Sequence, residues 1–551
     1  MAPLIFWGLP STTRDDLLFG GDAAWNAERY NVDATLDHLR ERAGGADTDL
    51  NPLTDRTRII DLTESESERA EILRRYRLFS RQPDEMIIFR ALQRMNPRTR
   101  DFDPKLYQYG GGYVYLIGAT LGAASLLQLV HVSADAGLYL EQPEQFAAFY
   151  VVARFISLVF GALTLVAISK LARRAGGRLA GWLAMLCVAC SPVFITAVLE
   201  AKPHLPSACL ILWAVLSGLD YRARHRWADA LRMGLQAGYA FGLVLTGIVA
   251  AFLWPVLVIA RLTDTKRRAW RHLAAAGVIA AAVYLLTNPY VPYNYIANRD
   301  SLDSNIGNST AMYENQIARW PEGALRVAVL LVESVGVVVP VIGLIGLVLL
   351  ARRHPAPTAL VAASGLAMML ICVLLGAGKP AEFARFLILP VLLLNVATAW
   401  MLATLLRRHL AVGIVLTLAA LGAMRTPAYI RSFAHDAYDT TESRRLAGQF
   451  LRENMHPDDA LAVLQEPAPY AVPPVDFTRR RVLLLPPGEP QGLNVDELPE
   501  WLVFTADNDQ VHAGAWWSPY YSLEEWFPPA TTTPSQIAWA DKPVFVCRRP
   551  R

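Results

Sequence analysis

Long apolar runs alternate with short charged interruptions along this chain, and the lengths of the runs predict membrane-crossing helices. Runs near the roughly 20 residues that a helix needs to cross a bilayer occur at 111–133, 147–169, 179–199, 204–220, 272–289, 324–350, 357–376, 386–406 and 410–424. The stretch 233–260 is long enough for one tilted span or two short ones. The interruptions differ in charge. Basic residues cluster at Lys170/Arg173/Arg174/Arg178, Arg222/Arg224/Arg226/Arg232, Arg261/Lys266/Arg267/Arg268/Arg271, Arg352/Arg353 and Arg407/Arg408, whereas 200–203, 290–323 and 377–385 hold acids and scattered bases. Cytoplasmic loops collect Lys and Arg, so the first set is read as cytoplasmic and the second as outer. Basic loops flank 233–260 on both sides, so it is expected to cross twice as short, broken helices, with Gly234, Gly238, Gly242 and Gly247 allowing close packing. By this count the chain leaves the membrane on the outer side after Gly422.

Composition supports the pattern: 53% of the 551 residues are apolar and only 18% charged, which excludes an ordinary soluble protein. The net charge of +3 gives no reason to expect a nucleic-acid partner. Cys187, Cys190, Cys209 and Cys372 lie in apolar segments, and Cys547 stands alone near the C-terminus, so no disulfide can form within the last outer piece. No paired Cys/His zinc spacing and no phosphate-cradling glycine loop is present.

Polar segments frame the membrane core. Residues 1–110 carry probable helices near 23–42 and 64–78, the second opened by Thr63 with acids in its first turn. Residues 290–323 form a polar loop. Residues 425–551 are enough for a small domain; there Asp439 and Glu442 read as a capping box opening a helix to about Asn454. Short apolar runs at Ala460–Leu464, Val482–Leu485, Trp501–Thr505 and Val544–Val546 follow, separated by Pro-rich turns. The expected architecture is a polytopic α-helical membrane protein of about ten or eleven transmembrane helices with a small outer α/β C-terminal domain. Its divisions are an outer first loop (1–110), a membrane domain (111–424) and the outer domain (425–551). The opening MAPLIFWGLP is neither a signal peptide nor a complete span and reads as a chain whose first membrane helix is missing. Loop 134–146, with Asp135, Glu141 and Glu144 and no Lys or Arg, reads as outer. If 111–133 crosses fully, residues 1–110 are cytoplasmic; if it lies in the interface, they are outside.

Asp84 and Glu85 precede a short amphipathic helix with Ile88, Leu92 and Met95 on one face. One reading makes Asp84 a helix cap with Glu85 in the first turn; the other makes them a reactive carboxylate pair at the membrane surface. Asp84-Glu85 is followed by Met95-Asn96-Pro97 and by the stretch Asp101 to Tyr109, which runs into an aromatic helix. Ser191-Pro192-Val193-Phe194, Glu200-Ala201-Lys202-Pro203-His204, the glycine-rich pair 233–260, Asn288-Pro289-Tyr290 and Glu382-Phe383-Ala384-Arg385-Phe386 come next in order. Over roughly 80–430 this order resembles the GT-C superfamily of membrane glycosyltransferases, in particular the protein O-mannosyltransferases and the ArnT-like aminoarabinose transferases.

The resemblance implies an acidic pair in the first outer loop, followed by juxtamembrane helices, so that 111–133 makes no net crossing. It further implies an inverting transfer of a hexose or pentose from a polyprenyl-phosphate donor to an acceptor hydroxyl, outside the plasma or inner membrane. The acceptor stays open between lipid, glycan and protein. Asp84 would act as general base, while Glu85 would orient it or bind acceptor or a divalent cation; no other cofactor is implied. Candidate phosphate ligands are Lys105, Lys202, His204, Lys379 and Arg385, with Lys202 and Arg385 best placed, and Glu382 beside them. Tyr107 and Tyr109 could line a sugar site, although Tyr also anchors helices at bilayer interfaces. Glu333 is a charge inside an apolar segment and so a functional candidate, with no partner evident in the sequence. The alternative function is a transporter or flippase using the broken helices as its binding site. It expects paired interruptions in two related halves, and only one is clear.

Overall fold

The computed structural model describes residues 2–18, 58–64, 66–96, 98–259, 266–299, 302–303, 306–307, 316–376, 380–438, 441–465, 472–477, 480–486, 488–490, 492, 494–505, 514–529 and 535–550. The predicted helix 23–42 lies outside them.

The apolar runs become helices whose ends fall at glycine and proline. The helix Pro143–Cys190 is interrupted at Gly176-Gly177, where Gly177 has φ 75°. It therefore consists of two arms, the first holding the predicted span 147–169, while the predicted span 179–199 is divided at Ser191-Pro192 between the second arm and the short helix Pro192–Leu199. The break predicted within 233–260 is present, in a segment that starts earlier: helix Trp227–Leu243, a break at Val244, a 3-10 segment Leu245–Phe252 and helix Leu253–Ile259. Gly234 and Gly238 face the backbone of Ala276 and Ala280 with no room for a Cβ, so their partner is the helix Lys266–Thr287.

The predicted span 324–350 needs correction. It is divided between the helices Trp320–Val335 and Val338–Arg353, which meet at 102°. Gly336 makes the bend at φ 70°, and a Cβ there would lie 2.7 Å from the Ala423 backbone. The run 111–133 is helical only over Gly111–Leu126. At 1.5 Å per residue these 16 residues rise about 24 Å, less than the roughly 30 Å hydrocarbon layer. Among the described residues, five helices are long and apolar enough to cross a membrane, or six if the bent pair counts as one span. The expectation of ten or eleven counted crossings by apolar length, and the breaks at Ser191-Pro192 and Gly336 subdivide two of those runs, 179–199 and 324–350.

Outside the helical bundle, six strands form one sheet in the order β1-β3-β2-β4-β6-β5. They are β1 Ile60–Asp61, β2 Leu461–Leu464, β3 Val482–Leu485, β4 Trp501–Thr505, β5 Ser522–Phe527 and β6 Val544–Arg548. All four predicted apolar runs are strands. The central β2 runs parallel to β3 and β4, and near-continuous apolar sequence suits strands covered on both faces. Segments from both 1–110 and 425–551 contribute to this one sheet, because β1 pairs antiparallel with β3, Ile60 opposite Leu484. Two caps also differ from expectation. Thr63 donates its hydroxyl to Asp61 at 2.7 Å, and the helix Ser443–Asn454 is capped by Glu442, whose carboxylate accepts from the Arg444 backbone N–H. Asp439 lies outside the described residues.

Candidate active site

Asp84 sits at the N-cap position of helix Glu85–Arg94, but its backbone is already helical and its side chain caps nothing. The carboxylate turns to two cations brought from distant elements. Arg385, near the start of helix Pro380–Arg408, donates to Oδ2. Lys202, in the short link between the helices Pro192–Leu199 and His204–Arg224, places Nζ 3.2 Å from the same oxygen. Lys202 Nζ also lies 3.4 Å from Glu200 Oε2. Burial alone would raise the Asp84 pKa, yet Lys202 and Arg385 overcome it and hold the group well below the usual carboxylate range. Lys202 is the converse: burial opposes its charge, but Glu200 and Asp84 push its pKa above that of a free lysine. For Glu200 burial wins over Lys202, and its pKa is raised.

Glu85 has a different environment. It is fully buried, and Arg154 grips it with two parallel bonds, Nε to Oε1 at 2.8 Å and Nη2 to Oε2 at 2.7 Å. Ser80 Oγ donates to Oε2 at 2.5 Å and the Ala201 N–H to Oε1 at 2.7 Å. Arg154 in turn donates to the carbonyls of Ile5 and Trp7 and stacks over the Trp7 ring. Glu85 therefore ties the start of helix Glu85–Arg94 to the link that carries Lys202.

The remaining candidates fall into three places. Tyr109 receives a 3.5 Å bond from Arg385 and packs edge-on against His204, so both belong to the Asp84 cluster. Tyr107 is drawn away from it, accepting from Asn294 and packing against Tyr290. Lys105 lies in the adjacent turn at φ 49°, its N–H bonded to Asp103. Lys379 lies outside the described residues, as does the side chain of Glu382. The approach of the loop is fixed at Gly110, whose N–H bonds Leu243 and whose Cβ would lie 2.0 Å from the Gly242 carbonyl oxygen. Next to it the Gly111 N–H donates to Asn288 and Tyr290. The Asn288-Pro289-Tyr290 motif and the broken helix pair thus anchor the chain at Gly110-Gly111, just after the Asp101 to Tyr109 stretch.

A narrow cleft beside Asp84, about 20 Å³ in volume, is lined by Gln82, Glu200, Lys202, His204 and Arg385 and by apolar groups including Ile537 and Trp539. Thr196 Oγ1 and His204 Nδ1 are buried there without a hydrogen-bond partner, a costly state for a polar atom unless a bound molecule meets it. Sequence reasoning missed Arg154, Glu200 and the 537–539 wall as parts of the site. Arg154 had a usable signal, a lone charge within an apolar run. The wall had none, because its proximity arises only through the tertiary fold.

Residues 146–288 match a family model described as dolichyl-phosphate-mannose-protein mannosyltransferase. The match includes Lys202 and His204 and ends at Asn288, so it covers neither Asp84 nor Arg385. No curated protein matches the chain by sequence. Among solved structures, the chain is similar to the Archaeoglobus fulgidus oligosaccharyltransferase, at 16% identity and TM-score 0.43 over 92% of this chain and 72% of that one. It is also similar to ArnT from Cupriavidus metallidurans, at 13% and 0.41 over 80% and 88%, and to the S. cerevisiae protein O-mannosyltransferase Pmt1-Pmt2 complex, at 14% and 0.28 over 54% and 36%. The chain is a polytopic helical membrane protein that resembles the GT-C glycosyltransferases, and the family match supports that resemblance on sequence grounds.

Proposed function

We propose that the protein moves a sugar from a polyprenyl-phosphate donor to an acceptor hydroxyl on the outer face of the membrane. The observation that carries this reading is the Asp84 carboxylate, uncommitted to its helix and held between Lys202 and Arg385 at a cleft. A sugar linked to a lipid phosphate departs when its anomeric C–O bond breaks and the phosphate keeps the electron pair. That leaving group is a weak base, so it needs positive charge more than a proton. Arg385 offers a planar fork and Lys202 a compact ammonium for this purpose.

The same two cations make Asp84 a poor base in the resting protein. When a donor phosphate competes for them, Asp84 loses the charges that depress its pKa and becomes able to accept a proton. The acceptor oxygen then bonds to the anomeric carbon while its proton passes to Asp84, and single displacement inverts that centre. Glu85 orients Asp84 by fixing the backbone on both sides of the site rather than by touching substrate. Its four donors leave it poorly suited to a divalent ion, and in this reading Lys202 supplies between Asp84 and Glu200 the positive charge that such an ion would bring. The family match supports a lipid-phosphate sugar donor, with the sugar and the acceptor class to be found by assay.

The test is transfer of labelled sugar from polyprenyl-phosphate donors by membranes holding the wild-type protein or Asp84→Asn. Loss of the base should lower kcat by about 10²–10⁴-fold. Undiminished transfer by Asp84→Asn rejects Asp84 as the base.

A further inference from the structure

Glu333 takes no part in the proposed transfer, yet three donors from outside its own helix converge on it. It lies on the helix Trp320–Val335, three residues before the Gly336 bend. Its Oε1 accepts from the Tyr429 hydroxyl, from Ser535 Oγ at 2.9 Å and from the Gln536 N–H at 2.9 Å. Tyr429 belongs to the helix Thr426–Tyr438, and Ser535 and Gln536 lie in the segment that precedes β6. A carboxylate in a membrane helix thereby holds a loop of the outer domain.

The held loop reaches the cleft. Ser535 Oγ accepts from the N–H groups of Ile537 and Ala538, which closes a tight turn. Beyond it, Ile537 is 2% exposed and packs into the apolar core of the membrane helices. Trp539 stands half-buried among the cleft residues, its carbonyl held by Arg444 Nη2 at 3.1 Å. The cleft lining consequently combines two cations, Lys202 and Arg385, which pair with Asp84 and Glu200, with the apolar groups Val193, Leu205, Ile537 and Trp539. A ligand with a phosphate at one end and hydrocarbon directly attached matches both kinds of lining.

We propose that the segment Ser535–Trp539 is the wall of the cleft that reads the hydrocarbon next to the phosphate, with Trp539 in contact, and that Glu333 is the positioning residue that latches this wall. The proposal rests on the reading of the cleft as the lipid-phosphate site, and it assigns a selecting role to the outer domain. Removing the Glu333 charge weakens the hydrogen bonds that place the loop, since charged acceptors bind their donors more strongly than neutral ones.

The experiment uses the full-length protein in nanodiscs and polyprenyl phosphate without a sugar as probe, in a long-chain form and a two-isoprene form. Trp539→Ala should weaken binding of the long-chain form about tenfold and narrow the preference for it over the short form. Glu333→Gln should weaken binding in the same direction, and the double variant should be no weaker than Trp539→Ala alone, because both act through one wall. Hydrogen exchange should accelerate at the amides of 535–541 in Glu333→Gln and stay unchanged in β4, which separates a released latch from general destabilisation. Unchanged exchange at 535–541, unchanged binding in Trp539→Ala, or additive losses in the double variant overturn the proposal. Binding and exchange are read without turnover, so a failure of catalysis in the Asp84 assay rejects the transferase reading separately.

Discussion

Among single residues, Glu200 sets a pH dependence opposite to that of Asp84. Burial raises its pKa above the ordinary carboxylate value. A group whose pKa is raised on folding contributes stability below its unfolded pKa, and that contribution is lost as pH rises through the folded value. When ionised, Glu200 is in an unfavourable place and occupies one side of Lys202. It takes a proton at higher pH than an ordinary carboxylate, and over that range Lys202 becomes freer to meet a phosphate. Asp84, with its depressed pKa, stays ionised over that range, and a phosphodiester donor keeps its charge. The expected outcome is a donor KM that falls on mild acidification in the wild type and is low and flat in Glu200→Gln. Parallel KM profiles in the two proteins contradict this role. The residues legible in sequence were those whose polarity conflicts with a membrane neighbourhood and that lie in outer links: Asp84, Lys202 and Arg385. Glu85 was expected to orient Asp84 or to bind acceptor or a divalent ion, but the two side chains meet different environments, because one residue along a helix start is a rotation of about 100°. The sequence does not show which of the pair meets Arg154.

At the scale of elements, apolar length was legible and breakage only partly so. The runs that became β2, β3, β4 and β6 were short, apolar and bounded by turns, so burial on both faces determined them. β5, SLEEWF, is an edge strand with five of its six residues exposed; without a buried face it had no periodicity to detect. The Gly336 bend was hidden for a related reason, since one glycine among Val and Leu does not reveal its φ. That bend yields a prediction. Gly336→Ala places a Cβ 2.7 Å from the Ala423 backbone at φ 70°, a conformation that costs of order 1–3 kcal/mol for a residue other than glycine. Thermal unfolding in detergent should show the loss. Relaxation of the bend should also shift Glu333 and accelerate exchange at 535–541, as Glu333→Gln does. A variant as stable as wild type, with the same exchange, means that the chain there has room that the structure denies.

For the whole molecule, the decisive constraint is that both ends of the chain build one sheet. β1 pairs with β3, and Arg81 bridges Asp436 and, at 2.6 Å, Glu442. Residues 58–94 and 426–548 must therefore lie on the same side of the membrane, whichever side that is. The excess of basic residues at 170–178, 222–232 and 407–408 gives the expected orientation, with these segments outside and the basic clusters in the cytoplasm. Together these fix how the chain should label. In a cysteine-free background, Glu64→Cys and Asp496→Cys, both at exposed positions, should react in intact cells with a maleimide that cannot cross membranes. Arg178→Cys, exposed in the basic turn, should react only after the membrane is opened. Labelling of Arg178→Cys alone in intact cells inverts the orientation and moves Asp84 to the cytoplasm, where the proposed outer-face transfer fails. Labelling of Glu64→Cys and Asp496→Cys from different sides breaks the shared sheet itself. With it would go the contact between the first loop and the outer domain that brings Asp84 and Trp539 to one cleft.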